Sequence, residues 1–387
     1  MFHYLTFKEA EIMRVVILGA GFAGYSLVKK LSFNENISKI VVIDKNEARL
    51  KKVRKLGDKI STYKIDAVKV EKLSSYISRS DLTISLLPPN KASVDIIKVC
   101  IDEGSNYMDL GISDYNLLFT INHDSIFKDS GLLALPSYGA DPGLTNVIAK
   151  YLSEKMKTVT QVSIRDGSVT FDDECNYYVY SPKIFAQEII EKPLIYYKGK
   201  YVRLSINEAI KKFEFPEGIG LKSVWLVSHE EVITLPRYLG KEIESLDFGY
   251  YVPEILEKEL NLLIMEDGSF NLKGAKSLSK ANDKKIDGYE LLVIDVLGKI
   301  KEDIKLRGYA FLKHKDSIAK FNENATAFMI TFLPVEIINM VAKRQINHTG
   351  VLLPEMLDPN PIISKLKDLE LYKEISIPLE NVLSQQS

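Results

Sequence analysis

The stretch Arg14-Val15-Val16-Ile17-Leu18-Gly19-Ala20-Gly21-Phe22-Ala23-Gly24 constrains this chain more than any other, because an apolar run ending in G-x-G-x-x-G has few folded solutions. The run reads as a buried strand, and the glycines as the turn into a helix whose apolar stripe is Leu27, Val28 and Leu31. Gly19 permits a tight turn, Gly21 leaves room for a pyrophosphate, and Gly24 lets helix and strand approach closely. A second apolar strand, Ile40-Val41-Val42-Ile43, ends in Asp44, about 20 residues beyond the turn, where a carboxylate can accept both hydroxyls of an adenosine ribose. Together these features predict a dinucleotide pocket with the phosphates at the helix N-terminus, lined by Gly19, Gly21, Phe22, Ala23, Gly24 and Asp44. Asp44 repels a 2′-phosphate, so NAD is the expected cofactor; the cation of Lys45 keeps NADP open.

The pattern continues as alternating strands and helices. A helix over 46–55 precedes a strand Ser61 to Asp66, and Asp66 is expected near the adenine. Leu82 to Leu87 forms the next strand and stops at Pro88-Pro89, so Leu87 and Pro88 are placed on the cofactor edge of the sheet. A helix from about Ala92 to Glu103, the strand ending at Asp109, a helix through Phe127 and the strand Leu132 to Leu135 complete the alternation. This predicts an α/β fold with a Rossmann doubly wound parallel sheet over 13–142. From about residue 158 longer strands with polar alternation (Val159–Arg165, Lys222–Val227, Leu291–Lys299, Ile304–Phe311) predict a second α+β domain with a mainly antiparallel sheet over 143–325. Thr326 to Glu370 returns to helical periodicity, giving a C-terminal helical segment over 326–387. Residues 273–288 read as an exposed loop, and residues 1–12 as a tail, with Met13 an alternative start.

Composition narrows the partners. The chain has 387 residues, room for two or three domains, and its 51 basic against 52 acidic residues attract neither nucleic acid nor an anionic membrane surface. A small molecule is the expected partner, and the absence of a signal-peptide pattern or a run of about 20 apolar residues points to the cytoplasm. Cys100 and Cys175 make no disulfide framework, and the five histidines lack ligand spacing, so no metal is expected.

Candidate chemistry gathers near Pro136-Ser137-Tyr138-Gly139-Ala140-Asp141-Pro142-Gly143-Leu144-Thr145-Asn146, which follows a sheet strand, joins the two domains and is expected beside the nicotinamide. Asp141 reads either as the N-cap of a helix over 142–156 or as the carboxylate that holds a substrate ammonium and assists its deprotonation. Asp109 ends a strand and reads as a loop anchor or a substrate contact; His229, beside Glu230 and Glu231, reads as a surface turn or a proton shuttle. Lys183, Arg203 and Arg237 are possible anchors for a substrate carboxylate. Tyr151-x-x-x-Lys155 has the spacing of a Tyr/Lys catalytic pair, but Tyr151 lies on the apolar stripe of Leu144, Val147, Ile148 and Leu152, so packing is its expected role.

The glycine turn, Leu86-Leu87-Pro88-Pro89, Tyr107-Met108-Asp109, Gly139 to Asn146, Ser228-His229-Glu230 to Leu235-Pro236, and Gly350-Val351-Leu352-Leu353-Pro354-Glu355 resemble the saccharopine dehydrogenase and lysine 6-dehydrogenase family, which includes carboxynorspermidine dehydrogenases. The resemblance implies an NAD(P)-dependent oxidoreductase acting on a C–N bond of a lysine-related amine, an inserted substrate and dimerisation domain, a C-terminal return to the first domain, and a homodimer. It also implies that Asp141 orients the amine. Asp172, Asp173 and Glu174 suit a free amine better than the carboxylates of saccharopine, which leaves saccharopine and carboxynorspermidine-type substrates as rivals. A dinucleotide-binding redox sensor without turnover is the reading of another class.

Overall fold

The computed structural model describes residues 12–88, 92–111, 113–172, 177–178, 185, 188–189, 191–254, 257–258 and 286–378. The tail, Lys183, Cys175, Asp173, Glu174 and most of the loop expected over 273–288 lie outside them.

The chain divides into two compact units: residues 1–139 with 330–353, and residues 140–329 with 354–387. In the first unit β1 (Met13–Leu18), β2 (Ile37–Asp44), β3 (Ile60–Lys64), β4 (Leu82–Ser85), β5 (Asn106–Asp109) and β6 (Leu133–Leu135) join the short strand Gly350–Val351 in a parallel sheet. Its order is Gly350–Val351, β6, β5, β4, β1, β2, β3. Every pairing is parallel, as the alternation of strands and helices predicts. A parallel sheet packed on both faces needs continuous apolar strands, and Val15 to Leu18 are at most 1% exposed.

Helix α1 (Phe22–Ser32) buries Leu27, Val28 and Leu31 completely, each burial contributing roughly 1.5–3 kcal/mol. Helix α2 (Glu47–Arg54) is capped by Asn46, whose side chain accepts from the Ala48 and Arg49 amides. Asp66 lies beyond the third strand, which ends at Lys64 rather than running to residue 66.

The first unit is completed late in the chain. The helix Ala325–Ala342 enters it at Ile330, where the Thr331 hydroxyl meets that of Ser26 at 3.1 Å and the side-chain oxygen of Asn339 accepts from the side-chain amide of Asn34 at 2.6 Å. Gly350–Val351 then pairs with β6, and the Tyr138 hydroxyl donates to the Leu352 carbonyl at 2.9 Å. The Ala325–Ala342 helix has the length and apolar composition of a membrane span, in contrast to the sequence reading, but most of it is buried within the protein.

The expected C-terminal return therefore needs correcting. Only 330–353 belongs with the first unit, and from Pro354 onward the chain belongs to the second. Nor is this tail wholly helical, since Tyr372–Pro378 is an edge strand paired with Asp303–Lys313.

The second unit holds a mixed sheet of eleven strands, antiparallel except where Ser245–Tyr251 runs parallel to Thr158–Asp166. The expected strands are present as Thr158–Asp166, Gly220–Val227, Ile286–Lys299 and Asp303–Lys313. Helix Leu144–Glu154 packs its stripe of Leu144, Val147, Ile148 and Leu152 on this sheet, where Gly308 offers a surface without a side chain: a Cβ there would stand 3.1 Å from Leu152 and 3.2 Å from Ile148. Tyr151, at the rim, accepts from the Lys367 ammonium at 2.9 Å and carries Lys155 over its ring, which lowers its pKa and fixes it in a surface ion cluster.

Candidate active site

The glycine turn shows which of its glycines the fold requires. A Cβ on Gly24 would stand 2.1 Å from the Gly19 carbonyl oxygen, and one on Gly19, whose φ is +111°, would stand 2.9 Å from the Leu86 oxygen. A Cβ on Gly21 would meet nothing closer than the Arg49 guanidinium at 3.9 Å. Gly21 is therefore spared a side chain by something other than packing, and the space beside it fits a pyrophosphate. The first amides of α1, at Phe22 and Ala23, have no acceptor within the helix and supply the donors such an anion takes.

Asp44 is placed differently from the expectation. Its Oδ2 accepts from the Ala20 amide at 2.7 Å and its Oδ1 from the Asn46 amide at 2.7 Å, and it is 7% exposed. The carboxylate is turned into the fold, tying the glycine turn to the end of β2, instead of standing free for a ribose. Asp66 forms a local turn with the Val68 amide at 3.3 Å, while Leu87 and Pro88 follow Leu86, whose carbonyl faces Gly19, beyond the end of β4.

Asp109 is a structural anchor. It is buried, receives the Gly111 amide at 2.9 Å and the Ser137 amide at 2.8 Å on one oxygen, and the Tyr107 hydroxyl at 2.8 Å on the other. These bonds hold the turn at Ser137, whose φ is +67°, against the end of β5. A carboxylate with three local donors is built to position a loop, in keeping with the loop-anchor reading of this residue.

A second set of titratable residues lies wholly in the second unit. Asp141 does not cap the following helix: the N-cap is Gly143, whose amide donates to the Asn146 side chain at 2.9 Å, and the helix begins at Leu144 instead of Pro142. The Asp141 carboxyl instead lies within electrostatic reach of Asp166, which ends the strand Thr158–Asp166 and accepts from the Ser168 amide at 2.7 Å. Burial first and then the Asp166 charge raise the Asp141 pKa well above the carboxylate range; burial likewise raises Asp166. Both side chains keep part of their surface accessible although protein surrounds them, as in a recess. Glu290 lies beside Asp166, hydrogen-bonded to Thr326, and is pushed up to about 8 by burial and by the Asp166 charge.

His229 faces the same cluster. It is the N-cap of the helix Glu230–Tyr238, not part of a surface turn, and its Nδ1 bonds to the fully buried Glu231. Its ring stacks on Phe248 with centroids 3.9 Å apart, and Nε2 lies 3.3 Å from the Tyr250 hydroxyl. Burial opposes its charge, yet the Glu231 carboxylate, helped by Asp141 and Glu188, prevails and lifts the pKa to about 10. Glu231 in turn accepts from the Thr145 hydroxyl at 2.6 Å. Behind it, Glu355 accepts from Asn146 at 3.0 Å with one oxygen and has no partner for the other; burial raises it to about 7.

Glu231, Asp141, Glu188 and Asp166 thus act on one histidine, with Glu290 beside Asp166 and Glu355 behind Glu231. Among the described residues the acids at this site outnumber the cations, which suits a ligand that brings one. Of the expected carboxylate anchors, Arg203 bonds to the Lys192 carbonyl and Glu191, and Arg237 sits over the Tyr201 ring. Burial pushes the Cys100 thiol up to about 12, which leaves it inert. Among the described residues no group is arranged to hold a metal.

Asp166, Glu290 and Glu355 escape sequence reading because each is one acid at the end of, or within, a strand or turn remote from Asp141. Only their meeting in space marks them. Glu355 does sit in one of the motifs that carried the resemblance, Gly350 to Glu355.

A doubly wound parallel sheet with this glycine turn defines an NAD(P)-binding unit. Residues 15–164 match the family model described as the saccharopine dehydrogenase NADP binding domain. The chain is thus similar to proteins of the saccharopine dehydrogenase-like family. It is 22% identical to the carboxynorspermidine synthase of Vibrio cholerae serotype O1, over 93% of this chain and 96% of that protein. It is 24% identical to the carboxyaminopropylagmatine dehydrogenase of Synechocystis sp., a match that spans 57% of this chain and 58% of that protein. Similarity to the mitochondrial alpha-aminoadipic semialdehyde synthase of Bos taurus, at 29% identity, covers 38% of this chain and 15% of that protein.

Proposed function

We propose that this protein is an NAD(P)-dependent oxidoreductase acting on the C–N bond of an aliphatic amine, interconverting an imine and the corresponding amine. The observation that carries this reading is the recess of Asp141, Asp166 and Glu290 facing His229 and Glu231. An ammonium brought to Asp141 and Asp166 stabilises their charged forms, and the proton this releases leaves a carboxylate beside the substrate nitrogen. His229, kept protonated by Glu231, holds a second proton at Nε2 next to the Tyr250 hydroxyl. The dinucleotide, when bound, supplies the redox equivalent. The chain's own task is to hold the nitrogen, set its protonation and surround it with protein.

The excess of acids over cations favours an amine-rich substrate, and the name of the relative that spans 93% of this chain supports a carboxyalkyl polyamine ahead of a lysine skeleton. The test follows NAD(P)H absorbance with carboxynorspermidine-type amines, lysine and saccharopine supplied separately. Turnover with an amine, reduced about 100-fold or more in Asp141→Asn with dinucleotide affinity unchanged, is the expected result. Intact dinucleotide binding with no turnover on any amine, in either direction, sinks the reading.

A further inference from the structure

The only tryptophan of the chain, Trp225, is 3% exposed, yet its indole Nε1–H has no acceptor among the described residues. A buried N–H without a partner costs stability, and tryptophans taken into an interior ordinarily find an acceptor. Sheet register shows where this one stands. Trp225, in the strand Gly220–Val227, lies opposite Tyr250 in Ser245–Tyr251, and Tyr250 lies opposite Asp166 at the end of Thr158–Asp166. Residues in direct register share a face, so the three side chains form one row, with each step across the sheet about 5 Å. Val224, the residue before, packs with Phe215, Leu291, Val293 and Tyr309 on the other face. Gly249 fixes the two strands at close approach, since a Cβ there would stand 2.9 Å from the Trp225 carbonyl oxygen and 2.7 Å from the Val224 side chain.

The row is polar from end to end. Asp166 adjoins Asp141 and Glu290 at one end, Trp225 brings an N–H to the other, and between them the Tyr250 hydroxyl lies 3.3 Å from Nε2 of His229. Acids hold an ammonium, and donors hold an acceptor. We propose that Trp225 is a specificity-determining residue: its indole N–H donates to a carboxylate carried by the amine substrate, and so selects carboxylated amines over the same amines without that group. The assignment rests on the amine chemistry proposed for the recess. An analogue lacking the carboxylate leaves the N–H unpaired in a dry site and is rejected for that reason. The protonated His229 ring, next to Tyr250, offsets the charge the carboxylate brings. The ladder holds Trp225 between Ile210 and Tyr250, so the donor is set in place before the ligand arrives.

The experiment compares two matched pairs on the full-length protein by titration calorimetry: carboxynorspermidine against norspermidine, and lysine against cadaverine, each pair differing by one carboxylate. In the pair the protein binds, wild type favours the carboxylated member about tenfold or more. Trp225→Phe, which keeps an aromatic ring and removes the N–H, brings that preference to within about twofold and leaves the affinity for the decarboxylated amine within about twofold of wild type. Because the chain has one tryptophan, selectively excited indole emission reports on Trp225, and it shifts with the carboxylated member only. A preference that survives in Trp225→Phe, or a wild type without preference, overturns the assignment. Should Trp225→Phe not fold, the wild-type emission decides, and equal shifts with both members overturn it. Amine binding indifferent to the carboxylate removes the role of Trp225 alone, whereas no binding by any of the four compounds removes the amine chemistry with it.

Discussion

The buried carboxylate of Glu231 bonds to the imidazole of His229 two residues before it, and this contact determines the charge of the ring. Burial alone would deprotonate His229, whereas Glu231 holds it up at about 10. In Glu231→Gln the burial effect prevails and the ring becomes neutral at pH 7.5. The step that consumes a proton then requires more acidic conditions, so the pH profile of reductive turnover moves acidward by roughly two units. A profile with unchanged limbs would remove His229 from proton transfer.

The acid recess makes stability depend on pH in a defined direction. Glu290 and Glu355 have folded pKa values of about 8 and about 7, above the ordinary 4.5, so the folded state holds protons that the unfolded state has released. Their stabilising contribution is complete below about pH 4.5 and is lost as the pH rises through 7 to 8. Thermal melts of wild type from pH 5 to 8.5 therefore show a falling Tm, and Glu290→Gln flattens the fall. Superimposable curves for the two proteins would contradict the placement of Glu290.

The glycines of the turn separate by cause. Gly24→Ala drives a methyl to within 2.1 Å of a carbonyl oxygen and costs folding, seen as a large drop in Tm or loss of soluble protein. Gly21→Ala has room and melts like wild type, but its methyl takes the place of the pyrophosphate, so dinucleotide affinity falls about 100-fold. A Gly21→Ala protein that binds normally would place the phosphates elsewhere.

Asp109 is tested against its catalytic reading. Asp109→Asn keeps an oxygen for the two amides and retains turnover within a few-fold. Asp109→Ala leaves the Ser137 and Gly111 amides and the Tyr107 hydroxyl unmatched and destabilises by about 2–3 kcal/mol. Loss of turnover in Asp109→Asn at unchanged Tm would return the residue to the chemistry.

What was legible in the chain follows the range of the physics. Strands β1 to β6 and their helices are written in local periodicity and in glycine spacing, which act within about 20 residues. Asp141 and His229 stood out because each adjoins an unusual local pattern, Asp-Pro-Gly and His-Glu-Glu. Their partners did not: Asp166 stands 25 positions after Asp141 and Glu290 another 124 further on, and nothing in the intervening sequence marks the approach, which for Asp166 and Glu290 follows from the pairing of their strands. Asp44 misled for the same reason, since its identity shows in the sequence but the two amides that capture it do not.

The placement of Gly350–Val351 beside β6 has a consequence for the newborn chain. Residues 1–139 leave the ribosome with a sheet edge whose final strand is still some 210 residues from synthesis, and without the Ile330 to Ala342 helix that meets Ser26 and Asn34. The dinucleotide-binding unit keeps its β6 edge open until residues 330–353 have been made. A chain interrupted between the second unit's strands and Gly350 therefore carries an unfinished first unit.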